Sequence, residues 1–297
     1  MKIGILSFKP SGRRAAEEEL RIKAAAERLG HKAQIFRSER CQLVYDGKSE
    51  RVLYMGKRFP KIDVLIPRAS ILNNVDIRLS VVKQFQQMGV PVVNDYMSIA
   101  RAKNKVRTQQ ILHSLGLPTP HTVVIHDKSV LNAAIDAVGG APVILKDPFG
   151  SYGSGVVIAE SKRAARSVLD AMATPILMVQ EYISESGGKD TRVFVVGSKV
   201  IAAMERSAQA EEFRSNVELG GETRPVEVSD RYAQIAIAST KALGLEVSGV
   251  DIIETKKGPA VLEVNGNPGF KALEAATGVN VAEAIVLHAI AKVAGEV

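Results

Sequence analysis

Gly249-Val250-Asp251-Ile252-Ile253, a turn at Lys256-Lys257-Gly258, and Val261-Leu262-Glu263-Val264-Asn265-Gly266-Asn267-Pro268-Gly269 decide how the whole chain is read. Two carboxylates and a carboxamide sit at polar positions inside otherwise apolar, strand-like runs, where a polar group without a partner costs free energy. Lys256-Lys257-Gly258 reads as a hairpin loop. A hairpin symmetric about Lys257 sets Asp251 directly opposite Glu263. Glu263 and Asn265 are two apart, so they share a strand face. Asp251, Glu263 and Asn265 are then three hard oxygen donors on one sheet face, with room for water and phosphate, a set that suits Mg²⁺. A sheet with one solvated polar face gives the same pattern, so the upstream sequence has to decide.

Upstream, Lys146-Asp147-Pro148-Phe149-Gly150-Ser151-Tyr152-Gly153-Ser154-Gly155 joins two strand-like runs. Its glycines let backbone N–H groups approach a phosphate, and Lys146 at the preceding strand end supplies charge. No Gly-Lys-Ser/Thr follows, so this is not a Walker loop, and ordinary glycine-rich hairpins look alike. Gln180-Glu181-Tyr182-Ile183 ends an apolar strand. Backbone groups leaving a strand can pair with an adenine edge, and apolar side chains can sandwich its ring. Asp190, after Ser186-Gly187-Gly188, can accept ribose hydroxyl protons; an ordinary strand end and a solvated aspartate are the plain alternative. Arg206 and Phe213-Arg214-Ser215-Asn216 offer groups suited to a transferring phosphoryl group or an acyl phosphate, against plain surface arginines. Lys105, on a lysine-rich helix, carries no signal of its own. There is no Gly-x-Ser-x-Gly elbow, no His-Glu-x-x-His and no reactive cysteine pair.

Further out, residues 1–97 read as a small open α/β sheet. Strands are expected at Lys2–Leu6, Lys32–Phe36, Asp63–Pro67 and Pro91–Asn94, with an edge strand at Arg51–Lys57 and helices at Glu17–Leu29 and Asp76–Met88. The first strand lacks a following Gly-x-Gly-x-x-Gly, so a dinucleotide fold is not supported. Ser98–Leu115 reads as one long amphipathic helix. Beyond it come strands at Thr122–Ile125, Pro142–Lys146, Val156–Ala159 and Ile176–Tyr182, and helices at Lys128–Val138 and Ser161–Ala171. A hairpin around Gly197-Ser198, a helix at Ser229–Leu243, the carboxylate hairpin and a closing helix at Val281–Val293 complete the pattern.

The chain has 297 residues, 46% of them hydrophobic, enough for two or three packed units. Its one cysteine, Cys41, can form no internal disulfide, and no secretory leader precedes the first strand, so a cytoplasmic protein is expected. No apolar run reaches the ~18 residues that cross a bilayer. The five histidines show no zinc spacing. The net charge of +7 is uneven: residues 1–100 carry 18 Lys/Arg against 10 Asp/Glu, whereas the remainder is nearly balanced. A basic N-terminal part points to an acidic partner. Nucleic acid is the weaker choice, because aromatics are 5% and no aromatic-interleaved basic platform appears.

Taken together and in order, the lysine-tipped strand with its glycine loop, the Gln-Glu-Tyr-Ile strand, the Arg-Ser-Asn segment and the Asp…Glu-x-Asn hairpin closely resemble the ATP-grasp ligases. Within them the chain resembles the RimK-type α-L-glutamate ligases, whose namesake modifies ribosomal protein S6. The resemblance covers essentially the whole chain, including Met1-Lys2-Ile3-Gly4-Ile5-Leu6-Ser7, Ile66-Pro67-Arg68, Ile99-Ala100-Arg101-Ala102-Lys103-Asn104-Lys105, Gly139-Gly140-Ala141-Pro142 and Ala275-Ala276-Thr277-Gly278-Val279. It implies an α/β N-terminal domain (1–97) plus α+β ATP-grasp domains, with ATP held between a central subdomain (98–175) and a C-terminal one (176–297). Lys105, Lys146, Gly150, Ser151 and Gly153 would then contact phosphates. Glu181, Tyr182 and Ile183 would face adenine, and Asp190 the ribose. Asp251, Glu263 and Asn265 would hold two Mg²⁺ ions, replaceable by Mn²⁺. Arg206, Arg214, Ser215 and Asn216 would serve the phosphate side of the reaction.

The implied reaction has two steps. An acceptor carboxylate takes the γ-phosphoryl group of ATP, giving an acyl phosphate and ADP; the α-amine of L-glutamate then displaces phosphate. Positioning and charge neutralisation suffice, without a covalent nucleophile. The implied acceptor is the C-terminal carboxylate of an acidic protein or peptide, S6-like, or a growing poly-α-glutamate chain. A homotetramer, no membrane association and no direct nucleic-acid binding are also implied. Two other readings stay open: a ligase of the same fold acting on a small-molecule or carrier-protein acid, and a non-catalytic nucleotide-sensing or RNA-binding protein. The chain departs from the namesake at Gly266-Asn267 and Phe270-Lys271, where the family pattern has Ala-Ser and Leu-Glu. These positions are expected beside the metals and near the incoming amino acid or acceptor.

Overall fold

Lys2–Ser7, Lys32–Arg37 and Val64–Arg68 form a three-stranded parallel sheet with Lys2–Ser7 in the middle. The strands of a parallel sheet are covered on both faces, which is why Ile-Gly-Ile-Leu and Val-Leu-Ile run without polar alternation. The structure is a computed structural model that describes residues 1–10, 12–47, 50–71, 73–150, 155–171, 176–208 and 221–297. The helix Glu17–Arg28 opens on three glutamates and closes on an arginine, matching the helix dipole at both ends.

Three local expectations in this part are corrected. Pro91–Asn94 is not a strand: only Val92 bridges to Leu65. The ladder stops because Asn94 is committed elsewhere. Its amide donates to the carbonyls of Val247 (2.6 Å) and Gly266 (2.9 Å) and accepts from the amides of Glu246 (2.7 Å) and Val247 (2.8 Å). In place of one edge strand at Arg51–Lys57 there is a three-stranded antiparallel meander, Cys41–Tyr45, Glu50–Tyr54 and Lys57–Arg58. Met55 and Gly56 both take positive φ (53° and 75°), the backbone of a tight primed hairpin turn. A methionine rarely adopts that conformation, so the turn left no signal. The third correction concerns Ser98–Leu115, which is two helices, Tyr96–Lys103 and Lys105–Ser114. Asn104 is extended between them, and its side chain accepts from the Arg107 amide, an N-cap of the type asparagine favours.

A four-stranded antiparallel sheet follows, in the order Thr122–Ile125, Leu177–Glu181, Val143–Lys146, Val156–Ala159. Alternation divides its faces. Val143, Leu145, Leu177 and Val179 pack under the helices Leu131–Ala137 and Lys162–Ala171. Ile144, Lys146, Met178 and Gln180 occupy the opposite face.

The largest sheet has five antiparallel strands in the order Glu222–Pro225, Lys199–Ser207, Lys189–Val196, Val247–Thr255, Gly258–Asn265. Glu222–Pro225 was not expected from the sequence, nor was the short helix Lys271–Thr277. One face packs on the helix Asp230–Leu243 through Val193, Val195, Val250 and Ile252. The other face is split along its length. Phe194 and Met204 join Ile3, Ile5, Ile22 and the helix Val281–Ala294 in a core that links the first and last segments of the chain. Asp190, Arg192, Arg206 and Asp251 make up the polar remainder.

The carboxylate hairpin has the expected pairing but reaches it differently. Thr255 pairs with Gly258, so the loop is the two residues Lys256-Lys257 rather than three. A bulge then shifts the register between Asp251 and Ile252, where Val261 pairs with Ile252 and Glu263 with Asp251. Leu262 is the extra residue. A bulge re-aims the strand, and here it lets the consecutive residues Leu262 and Glu263 both border one cleft.

Candidate active-site cleft

The cleft lies between the free face of the four-stranded sheet and the carboxylate hairpin, with the helix Lys105–Ser114 along one side. Lys146, Gln180 and Met178 line it from one sheet, Leu262 and Glu263 from the other, and Lys105 from the helix. Lys146 is 8% exposed, and its ammonium donates to the side-chain Oε1 of Gln180 at 2.6 Å. Gln180 is itself fixed by donating to the Thr122 hydroxyl at 2.8 Å. Burial pulls the Lys146 pKa down to about 8, with Lys105 acting in the same direction and Glu263 and Asp251 opposing. A lysine held this way gains its missing charge partner when an anion enters.

The break at Asn104 gives Lys105 its position. Its backbone amide donates to the Pro148 carbonyl (3.1 Å), its ammonium bonds the Gly150 carbonyl, and Glu263 lies 4.0 Å away. Helix start, glycine loop and carboxylate hairpin therefore meet at one ammonium group. The loop base is closed by the Asp147 amide donating to the Gly155 carbonyl at 2.9 Å. Gly155 has φ +73°, and a Cβ there would come within 2.9 Å of the Asp147 Cβ, so both the backbone and the packing require glycine. Ser151, Gly153, Arg214, Ser215 and Asn216 lie outside the described residues.

Glu263 and Asn265 border a second part of the cleft with Lys103, Lys105, Gly150 and Asn267. Burial lowers the Lys103 pKa, Lys105 lowers it further, and Glu263 opposes them. Asp251 sits behind Glu263 on the sheet. Burial works against its ionisation, but two guanidinium groups more than offset that and hold its carboxyl below the usual range. Arg192 clamps both oxygens at 2.7 Å, and Arg206 reaches one at 2.9 Å. Arg206 also clamps Asp190 through two bonds of 2.7 and 2.6 Å. Asp190 and Arg206 thus face each other on the buried sheet floor. Arg192 was not singled out from the sequence; its place two residues after Asp190, in an apolar run, was the available sign of a shared face.

As donors for a divalent cation, Glu263 and Asn265 fit: the Glu263 side chain is 41% exposed, and its one ion pair among the described residues is the 4.0 Å approach of Lys105. The Asn265 amide oxygen accepts from the Asn267 backbone at 2.9 Å and keeps a second lone pair. No cluster of three or more His, Cys, Asp or Glu side chains disposed for a metal occurs among the described residues, so phosphate and water oxygens would complete the shell of a hard cation.

Glu181 and Tyr182 stand at the strand end. The Glu181 carboxylate accepts from the His121 amide at 2.7 Å, and the two backbones bond at 2.9 Å. Ile183 packs with Ile253, Ala260 and Leu262 in a small apolar cluster bordering the same hairpin. Of the four positions that depart from the family pattern, Gly266 and Asn267 line the cleft. The other two do not. Phe270 is fully buried against Phe194, and Lys271 pairs with Glu17 at 2.6 Å. Burial pushes the Cys41 thiol up to about 12, which leaves it unreactive.

Residues 1–99 match the sequence model of the RimK PreATP-grasp domain, and residues 102–289 that of the RimK-like ATP-grasp domain. A probable alpha-L-glutamate ligase 2 of Shewanella amazonensis is 42% identical over 290 residues, spanning 96% of this chain and 94% of that protein. Among solved structures, the ATP-grasp ligase PsnB, complexed with a phosphomimetic variant of its minimal precursor, Mg and ADP, superposes with a TM-score of 0.74 at 18% identity, covering 98% of each chain. A RimK domain ATP-grasp protein from Sphaerobacter thermophilus gives 0.73 at 21% identity, covering 98% of this chain and 100% of that one. At these identities the structural likeness is one of fold, whereas the sequence matches carry the family. The chain belongs to the RimK-like ATP-grasp family of ligases, enzymes that form C–N bonds and release ADP.

Proposed function

We propose that the protein adds L-glutamate, through an acyl phosphate, to the C-terminal carboxylate of an acidic protein or peptide, S6-like, and extends the product into poly-α-glutamate. The observation that carries this reading is the meeting of Lys105, Gly150 and Glu263 at one point, with the buried Lys146 on the facing sheet. Two ammonium groups around a carboxylate-lined gap suit a triphosphate. The 42% identical relative named a probable alpha-L-glutamate ligase supports glutamate as the added amino acid.

On this reading residues 98–175 and 176–297 are the two subdomains that clasp ATP. Lys146, Lys105 and the Gly150–Gly153 segment hold the phosphates. Ile183 and Leu262 flank the adenine, beside Glu181 and Tyr182. Asp190 serves the ribose, and Arg206, Arg214, Ser215 and Asn216 act on the phosphate side. Asp251, Glu263 and Asn265 would hold Mg²⁺, which when bound neutralises charge on the transferring phosphoryl group. Lys105 and Lys146 fix the phosphate chain, and the apolar hairpin end excludes water from the base. Arg192 and Arg206 keep Asp251 ionised and in place.

The test is mass spectrometry after incubation with ATP, Mg²⁺, L-glutamate and an acidic C-terminal peptide. A ladder of glutamyl additions on the peptide is expected. Free oligoglutamate with untouched peptide would remove the tail-ligation part. ADP release that depends strictly on a small acid would overturn the proposal.

A further inference from the structure

We propose that the carboxyl end of the three-stranded parallel sheet is a track that receives an acidic peptide chain and leads it to the reacting end of the cleft. Its purpose rests on the ligase reading above; its chemistry does not.

Strand register brings Ser7 level with Arg37 on one side and Arg68 on the other, so two of the three strands end in arginine. The crevice outside this end of an open parallel sheet is where such folds take ligands. Arg37 donates to the Ser7 hydroxyl (2.7 Å) and the Arg13 carbonyl (2.8 Å), and Arg78 donates to the Phe8 carbonyl (3.1 Å). These guanidinium groups are oriented by neutral oxygens. Among the described residues no carboxylate pairs with Arg37, Arg78, Arg13 or Lys9. Arg21, Arg192, Arg206 and Arg224, by contrast, hold carboxylates, whereas Arg101 and Arg231 donate to backbone carbonyls. Arg37 and Arg78 are therefore pre-oriented cations without a carboxylate partner among the described residues, and guanidinium forks of this kind match carboxylates.

The edge is also continuous with the cleft. Arg68 donates to the Pro268 carbonyl (2.8 Å), and the Asn267 amide donates to the Ser70 hydroxyl (3.3 Å). Asn267 in turn borders the cleft beside Lys103, Lys105 and Glu263. Its amide oxygen is buried and has no donor among the described residues. Carboxylates fit the edge better than bases do, because Phe8 and Phe36 are buried and offer no ring for stacking.

The experiment is fluorescence anisotropy on the full chain, with one labelled peptide ending in four glutamates and a counterpart ending in four glutamines. The Arg13→Ala/Arg78→Ala double variant removes two exposed side chains and keeps the sheet, as circular dichroism would verify. Wild type is expected to bind the glutamate peptide alone, with an affinity that falls as salt rises. The double variant should bind it about tenfold more weakly, the scale of two exposed ion pairs. Its KM for ATP in ADP release should not change. Equal binding of both peptides, or equal affinity in wild type and variant, would overturn the track. If wild type binds the glutamate peptide but ligates nothing to any acidic peptide, the track stands and the ligase reading falls.

Discussion

Lys146 is the residue on which pH acts. Its ammonium, lowered by burial to about 8 from an ordinary 10.5, attracts phosphate only while protonated. Above that pH the free protein loses the charge, so the KM for ATP should rise about tenfold per pH unit, while kcat at saturating ATP holds. Lys146→Arg, charged throughout, should flatten the rise; a flat wild-type profile would remove Lys146 from the phosphate site. The same depression favours the neutral form in the ligand-free fold. Stability should therefore increase between pH ~8 and ~10.5, where the unfolded chain still binds the proton. Glu263 differs in kind. Its side chain is 41% exposed and its contact with Lys105 is long, so Glu263→Gln should leave the melting temperature nearly unchanged while abolishing ADP formation. Near-normal turnover in that variant would take Glu263 out of the proposed cation site.

At the scale of elements, two irregularities build the cleft. One is the break at Asn104, which starts a helix at Lys105 and turns that side chain onto the glycine loop. The other is the bulge at Leu262, which places an apolar and an acidic side chain side by side. Leu262→Ala removes part of a small apolar cluster and leaves Glu263 in register. On the proposed assignment it should raise the KM for ATP about tenfold, from the loss of ~1–2 kcal/mol of apolar contact, with kcat nearly constant. Steady-state kinetics with ATP varied checks this; a fall in kcat with unchanged KM would place Leu262 away from the base. Neither irregularity was legible in the sequence. An apolar-polar helix pattern runs smoothly through Asn104, and the strand alternation around Leu262 tolerates one extra residue without any break in hydrophobicity.

For the molecule as a whole, the first hundred residues are not an appendage. Ile3, Ile5 and Ile22 share a core with Phe194, Phe270 and Ile285 from the far end of the chain. Asn94 locks the junction with four hydrogen bonds to the segments around Val247 and Gly266. Asn94→Ala would leave buried backbone groups unpaired, each costing ~1–3 kcal/mol, so a loss of at least ~3 kcal/mol is expected in urea unfolding. The transition should stay single, because the shared core couples both halves. Two separated transitions would show that the N-terminal part unfolds alone. Among the described residues no single helix is long and apolar enough to cross a membrane; the bent pair Lys271–Thr277 and Val281–Ala294 is a core element.

The sequence by itself determined most of the strands and helices and, through its motifs, the family. These follow from periodicity and from motifs whose spacing survives in one dimension. It also marked Lys146 and the glycine loop, because a charged residue closing a buried strand is visible as a break in apolar pattern. Only the tertiary structure decided that Asp190 and Arg206 face each other, that Arg192 holds Asp251, that Lys271 turns to Glu17, and that Asn94 ties the two ends together. Each of these depends on which distant strands become neighbours. A charge can be read in the chain, but the partner that neutralises it is chosen by the fold.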